Sequence, residues 1–217
     1  FGDVQKLREL KHPSIIVPQS WGYAVPAEQR QPYFVYERIA GGALNGAAFL
    51  AKNGPFKLDQ WKDLGARLIQ TLAAAEQIGV LHLGLKPDNL MFKRTGPTLE
   101  FQVNGFGLAR AGTALTRRAA AQPDGTSRSA FGPQIALGID FAAPELVGRG
   151  AGRVDVRADI YGFASTMIRL LTNDRPQLLS REHVANDKPL YELLIACRAD
   201  APAERPASFA DLARFWE

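Results

Sequence analysis

The run His82-Leu83-Gly84-Leu85-Lys86-Pro87-Asp88-Asn89 gathers a histidine, a lysine, a carboxylate and an amide within eight residues. These are the side-chain types that handle protons, phosphate and hard cations. For metal chemistry the set is thin. Mg²⁺ usually takes one or two carboxylates together with phosphate oxygens, so the neutral amide of Asn89 alone is a poor site. Further on, Gly105-Phe106-Gly107 holds an aromatic ring between two glycines. Gly84 and Gly105 have no side chain, so neither can take a proton or hold a metal. What glycine offers instead is a backbone position with positive φ. A second chemical feature is electrostatic: four arginines, at 110, 117, 118 and 128, stand against one acid, Asp124. Such a stretch attracts phosphate, acidic peptide or nucleic acid. No base-reading module or aromatic ladder accompanies it, so no nucleic-acid partner is expected.

The elements that must position these residues follow from periodicity. Val4, Leu7 and Leu10 recur at spacing three, which predicts a helix over 1–10, ended by Pro13. Residues 15–17 and 33–36 are short apolar or aromatic runs bounded by proline and polar residues, and are expected as strands. Ala40-Gly41-Gly42 reads as a hinge or turn. Leu58, Trp61, Leu64, Leu68, Leu72 and Ala75 predict a long amphipathic helix ended by Gly79. Two strands are expected at 90–92 and 99–103, around a turn at Thr95-Gly96-Pro97. Residues 111–139 lack periodicity and read as a long loop of the kind that carries function. The stretch 155–171 is apolar nearly all round, which predicts a buried central helix. Helices are also expected over 190–199 and 208–216, with Ser208 as N-cap and Asp211 standing in for the capping-box glutamate. Strands early and helices late make an α+β chain.

The 217 residues suffice for one sizeable domain or two small ones, and 46% of them are hydrophobic, enough for a core. A lone Cys197 cannot form an internal disulfide, so a reducing, cytoplasmic compartment is expected. No run reaches the ~18 apolar residues of a membrane span. The longest apolar-rich stretch, 161–171, is broken by Ser165, Thr166 and Arg169. A net charge of +4 is that of an ordinary solvated surface. The chain opens on Phe1, inside a predicted helix, and is expected to be a fragment, a processed product or part of something longer.

Taken in order, these motifs resemble a bacterial-type, eukaryotic-like serine/threonine protein kinase. Lys11-His12-Pro13-Ser14-Ile15-Ile16 is similar to the segment after that family's interlobe helix. Tyr33-Phe34-Val35-Tyr36-Glu37-Arg38-Ile39 resembles the hinge, with Tyr36 at the gatekeeper position. Residues 82–89 resemble the catalytic loop, and Gly105-Phe106-Gly107 with Leu108-Ala109-Arg110 resembles the metal-binding motif. Ala143-Pro144-Glu145 resembles the end of the activation segment. Asp159-Ile160-Tyr161 fits the buried helix of the large lobe, and Arg205-Pro206 the segment before the last helix. The resemblance implies a kinase-like fold, mostly the helical large lobe, with a remnant of the small lobe comprising the interlobe helix and two short strands. It divides the chain into 1–39, remnant and hinge, and 40–217, large lobe, with an activation-segment-like loop over 105–145.

The same resemblance puts Gly84 where the catalytic carboxylate belongs and Gly105 where the metal-binding aspartate belongs. Phosphoryl transfer needs both, so the expectation is a degenerate site. Lys86 and Asn89 are retained at phosphate- and metal-facing positions, and Glu37, Ile39 and Asn89 are the nucleotide-facing candidates. Asp3 takes the place of the interlobe glutamate. The glycine-rich loop and the strand lysine are missing from the chain as given. Leu7, His82, Phe106 and Asp159 match the regulatory spine, with Asp159 expected to accept backbone N–H groups of the catalytic loop. Glu145 and Arg205 match the family's buried ion pair. Leu83 replaces the arginine that captures a phosphorylated loop, although Thr113, Thr116, Thr126, Ser127 and Ser129 remain candidate substrates of another kinase. The implied function is a catalytically inactive scaffold or allosteric module. Its partner would be another chain or the remainder of the parent protein, docked on an uncovered apolar stripe of the first helix. ATP and Mg²⁺ remain weak candidates for cofactors. An active or atypical transferase, and nucleotide binding without transfer, stay open as alternatives.

Overall fold

The computed structural model describes residues 2–25, 27, 30–37, 39, 41–107, 138, 140–148 and 153–216. Apart from residue 138, the predicted loop 111–139 lies outside the described residues. So do Leu108-Ala109-Arg110, the arginines at 117, 118 and 128, and the candidate substrate hydroxyls of that loop.

Helix α1 (Gly2–Leu10) buries Val4 and Leu7. It stops at Lys11, whose left-handed φ of 50° breaks the helix before Pro13 does. Val4 and Leu7 are each only 1% exposed and Leu10 is half-buried, so among the described residues this helix shows no uncovered apolar stripe. The remaining surface of α1 is polar: Gln5, Lys6, Arg8 and Glu9. Exposed apolar side chains lie elsewhere: Tyr33 and Val35 on β2, and Val147, Leu178, Ile195 and Phe215 on the helical body.

The predicted strand 15–17 is not one. Ile15 makes a single parallel bridge to Val103, closed by Ile16 N–H to Val103 O and Val103 N–H to Ser14 O, both 2.8 Å. Pro18 lacks the N–H that longer pairing needs. The strands here are β1 (Ser20–Val25) and β2 (Arg30–Val35), an antiparallel ribbon. Tyr36 falls just beyond it. Gly22 makes β1 fit, because a Cβ there would lie 2.9 Å from the hydroxyl of its cross-strand partner Tyr33.

The second sheet has the order β3 (Leu44–Asn45), β4 (Leu90–Thr95), β5 (Thr98–Val103), all antiparallel. Its hairpin turns at Gly96, φ +61°. The short helix α2 (Gly46–Asn53) had no counterpart in the sequence reading. Asn45 caps it by accepting the Ala48 N–H at 2.8 Å. A Cβ on Gly46 would lie 2.5 Å from the Pro87 carbonyl, so this glycine lets α2 seat against the loop that carries the site.

Helix α3 (Leu58–Gln77) buries the predicted stripe from Trp61 to Ala75, with Leu58 partly buried, and Gly79 follows its end with φ +69°. Helix α4 (Val156–Thr172), capped by Asp155, is buried on nearly every face and forms the centre of the helical body. Helices α5 (Lys188–Cys197) and α6 (Phe209–Trp216) complete it. Ser208 Oγ accepts the Asp211 N–H at 3.0 Å and donates its hydroxyl to the Asp211 carboxylate at 2.9 Å. Trp61 of α3 and Trp216 of α6 pack with ring centroids 4.9 Å apart. Their indole N–H groups donate to the Met167 and Lys62 carbonyls at 2.6 and 3.0 Å.

Candidate functional site

The loop 82–89 hangs from α4. The Asp159 carboxylate, 3% exposed, accepts the His82 N–H at 2.7 Å and the Leu83 N–H at 2.6 Å. Charge-assisted bonds of this length are strong, and here they hold Leu83 at a left-handed φ of 58°. The Leu83 side chain joins the apolar cluster of Ala143, Ala158 and Tyr161. At the place where the resemblance expects an arginine, this chain therefore has packing.

His82 is fully buried. Its Nε2 donates to the Asn104 carbonyl at 2.8 Å, and its Nδ1 accepts the Gly84 N–H at 3.2 Å. The two bonds fit the neutral Nε2–H tautomer. Burial lowers its pKa to about 4. Its ring lies against Phe106, centroids 4.6 Å apart, and Phe106 and Leu7 belong to one apolar core.

Gly84, Asn89 and Gly105 come together. The Asn89 side-chain amide donates to the Gly84 carbonyl at 2.8 Å. A Cβ on Gly105 would lie 3.1–3.4 Å from the same amide group. Gly105 has φ +88°, a left-handed value that glycine adopts freely. Asn89 also accepts the Asn104 N–H through its own carbonyl, at 3.0 Å. Lys86 is half-buried and Asp88 exposed. Among the described residues, no three of His, Cys, Asp and Glu come together in a way that would hold a metal ion. Among the described residues, the donors around Gly105 do not fit Mg²⁺: they are the neutral Asn89 amide and the Tyr36 hydroxyl, with no carboxylate.

Above this point lies an open cavity of about 610 Å³ bordered by Tyr36, Glu37, Ile39, Gly41, Met91 and Asn104. Glu37 and Ile39 therefore line it, whereas Asn89 and Lys86 do not. Asp3 sits in the first turn of α1. The Tyr36 hydroxyl accepts the Gly105 N–H at 3.1 Å. Burial raises its pKa, with the Gly105 bond opposing, so it stays a neutral phenol. Sequence reasoning missed this contact, and missed Asn104 and Met91 as well. A backbone donor and a backbone acceptor leave no trace in side-chain patterns.

Below the loop, Arg205 and Glu145 form a two-pronged buried pair at 2.7 and 2.9 Å, their side chains 0% and 1% exposed. The remaining guanidinium hydrogens donate to the carbonyls of Ala199, Arg157 and Asp200 at 2.8, 3.0 and 3.1 Å. The guanidinium also sits 5.1 Å over the Tyr161 ring.

The family profile of the protein kinase domain matches residues 2–211. The chain belongs to the protein kinase domain family. Its relatives are bacterial serine/threonine kinases. It is 29% identical over 194 residues to serine/threonine-protein kinase PknB of Mycobacterium leprae, covering 85% of this chain and 28% of that protein. To PknB of Mycolicibacterium smegmatis it is 27% identical over 195 residues, with 85% and 28% covered. The chain thus spans under a third of the length of the curated relatives it matches. Among solved structures, the Mycobacterium tuberculosis PknI kinase domain superposes with a TM-score of 0.66 at 20% identity, covering 98% of this chain and 74% of that one. A Rad53 kinase domain crystallised with AMPPNP gives 0.65 at 17%, covering 99% and 78%. The fold is that of a protein kinase: mostly the helical large lobe, with α1 and the β1–β2 ribbon as its small-lobe part. Among the described residues no helix is long and apolar enough to cross a membrane.

Proposed function

We propose that this chain is a catalytically silent kinase-like domain that acts through binding, as a scaffold or an allosteric unit. One observation carries the reading. The two positions that would supply the proton acceptor and the metal carboxylate are Gly84 and Gly105, and both meet at an Asn89 amide already bonded to the Gly84 carbonyl. Deleting one catalytic group costs on the order of 10²–10³ in rate. Two such losses leave no useful turnover unless another chain supplies the carboxylates. The match of Leu7, His82, Phe106 and Asp159 to the family's spine positions supports a retained architecture. Apolar surface for a partner, or for the remainder of the parent protein, lies at Tyr33 and Val35 of β2.

The test is phosphate transfer from ATP by the longest form of the parent protein, unaltered and with Gly84→Asp plus Gly105→Asp. The reading expects no transfer by the unaltered protein. Transfer at a rate comparable to the restored variant would overturn it. A second reading, nucleotide binding without transfer, is favoured by the cavity that Glu37, Ile39 and Met91 border. A thermal-shift titration with ATP, with and without Mg²⁺, separates the two, since ligand at ~100-fold over Kd stabilises by about 2.7 kcal/mol. The binding expected is metal-independent.

A further inference from the structure

The segment Gly105-Phe106-Gly107 is backbone-labile by composition. Glycines flank its single side chain, at φ +88° and +82°, and both retain the freedom that glycine brings. Yet Phe106 is seated, 1% exposed, against His82. Two side chains at and just beyond the end of β2 lie over the segment, and one of them bonds it. Phe34 stands over Gly107, its Cζ 3.8 Å from where a Cβ would be. The Tyr36 hydroxyl takes the Gly105 N–H at 3.1 Å. From below, His82 donates to the Asn104 carbonyl at 2.8 Å. Gly105 is buried, next to Asn104 at the cavity edge, and an unmet N–H there is costly.

We propose that the Tyr36 hydroxyl is a built-in clamp that seats Gly105-Phe106-Gly107, and with it the His82–Phe106 stack, without a nucleotide or a metal. Tyr36 is here a positioning residue, acting through the Gly105 amide. The clamp deepens the binding-domain reading and rests on it for its purpose: a domain that signals by shape keeps its interlobe stack assembled in the absence of substrate. A chain found to transfer phosphate would sink that reading and leave the measurement below untouched.

The measurement is amide hydrogen exchange on the whole chain and on Tyr36→Phe, which removes one oxygen and keeps the ring. One hydrogen bond lost corresponds to about fivefold to tenfold faster local opening. That increase is expected at residues 105–107, with the interior amides of α3 and α4 unchanged. Tyr36→Met, a second hydroxyl-free side chain, should open the same three residues and serves if the Phe variant does not fold. Native protection at 105–107 in either folded variant overturns the clamp. So does an increase of equal size in α3 and α4, which would make Tyr36 an ordinary contributor to global stability.

Discussion

Arg205→Met is the substitution whose cost the structure defines best. The guanidinium spends all five of its N–H donors: two on Glu145, at 2.7 and 2.9 Å, and three on the Ala199, Arg157 and Asp200 carbonyls. With both side chains essentially unexposed, at 0% and 1%, removing the arginine strands a carboxylate. Breaking a buried pair from one side costs about 3–5 kcal/mol. Whole domains hold only about 5–15 kcal/mol, so this is a large fraction of the total. For a chain of this size, about 2–4 °C per kcal/mol puts the melting temperature roughly 6–20 °C lower. Arg205→Lys keeps the charge, but one ammonium cannot match the fork and reach three carbonyls, so its loss falls in between. Glu145→Leu leaves the arginine three carbonyl acceptors and costs less than Arg205→Met. The double change Glu145→Leu with Arg205→Met removes both charges, and apolar replacement of a whole buried pair is often close to neutral. Urea unfolding of the four variants measures this. An Arg205→Met loss below about 1 kcal/mol, or a double variant as costly as the two singles summed, would refute the account.

Three further outcomes follow from other parts of the core. His82 has an ordinary pKa near 6.5, and burial lowers it to about 4. Between those values the unfolded chain binds the proton and the folded chain does not, so stability falls as pH drops from about 6.5 to 4, by up to about 1.4 kcal/mol per unit; a urea series on His82→Gln should show a flatter slope. Gly65→Ala places a Cβ 2.1 Å from the Trp216 ring, which its bond to the Lys62 carbonyl holds in place. Overpacking of about 1–3 kcal/mol outweighs the gain of up to ~1 kcal/mol in helix propensity, which chemical denaturation checks. Cys197 is buried, with its thiol pushed up to about 12, so iodoacetamide at pH 8 should label the unfolded chain and leave the folded one unmodified.

What could be read from the sequence was whatever repeats along one element or sits in a compact motif. The apolar spacing of α3 and the all-round apolarity of α4 are local facts, and burial follows from them. The hairpin of β4 and β5 is marked by its Gly96 turn. The first strand was missed for a tertiary reason. Gly22 belongs in this strand because Tyr33, across the ribbon, fills the space that its missing side chain leaves. Helix α2 was missed in the same way: what Gly46 does is set by the Pro87 carbonyl, 2.5 Å from where its Cβ would be, and that neighbour is distant in sequence. Residues 15–17 misled because a short apolar run between prolines is strand-like in composition but has too few free N–H groups to pair.

The site divides along the same line. Asp159, His82 and Asn89 each hold a backbone group at the site: the Leu83 amide, the Asn104 carbonyl and the Gly84 carbonyl. Such residues keep their value when no substrate is handled, because losing any of them leaves a buried polar group unmet. The side chains that the resemblance turns toward ligand form a second set: Lys86 is present, and glycine replaces the carboxylates expected at 84 and 105. Leu83 extends the argument. An arginine there answers only to a charged loop, whereas leucine adds apolar contact with Ala143 and Tyr161 whatever the state of that loop. A domain under selection for turnover has reason to keep the first set and the second. A domain that works by presenting a shape, as proposed above, needs only the first set, and of the second this chain keeps Lys86 but neither carboxylate.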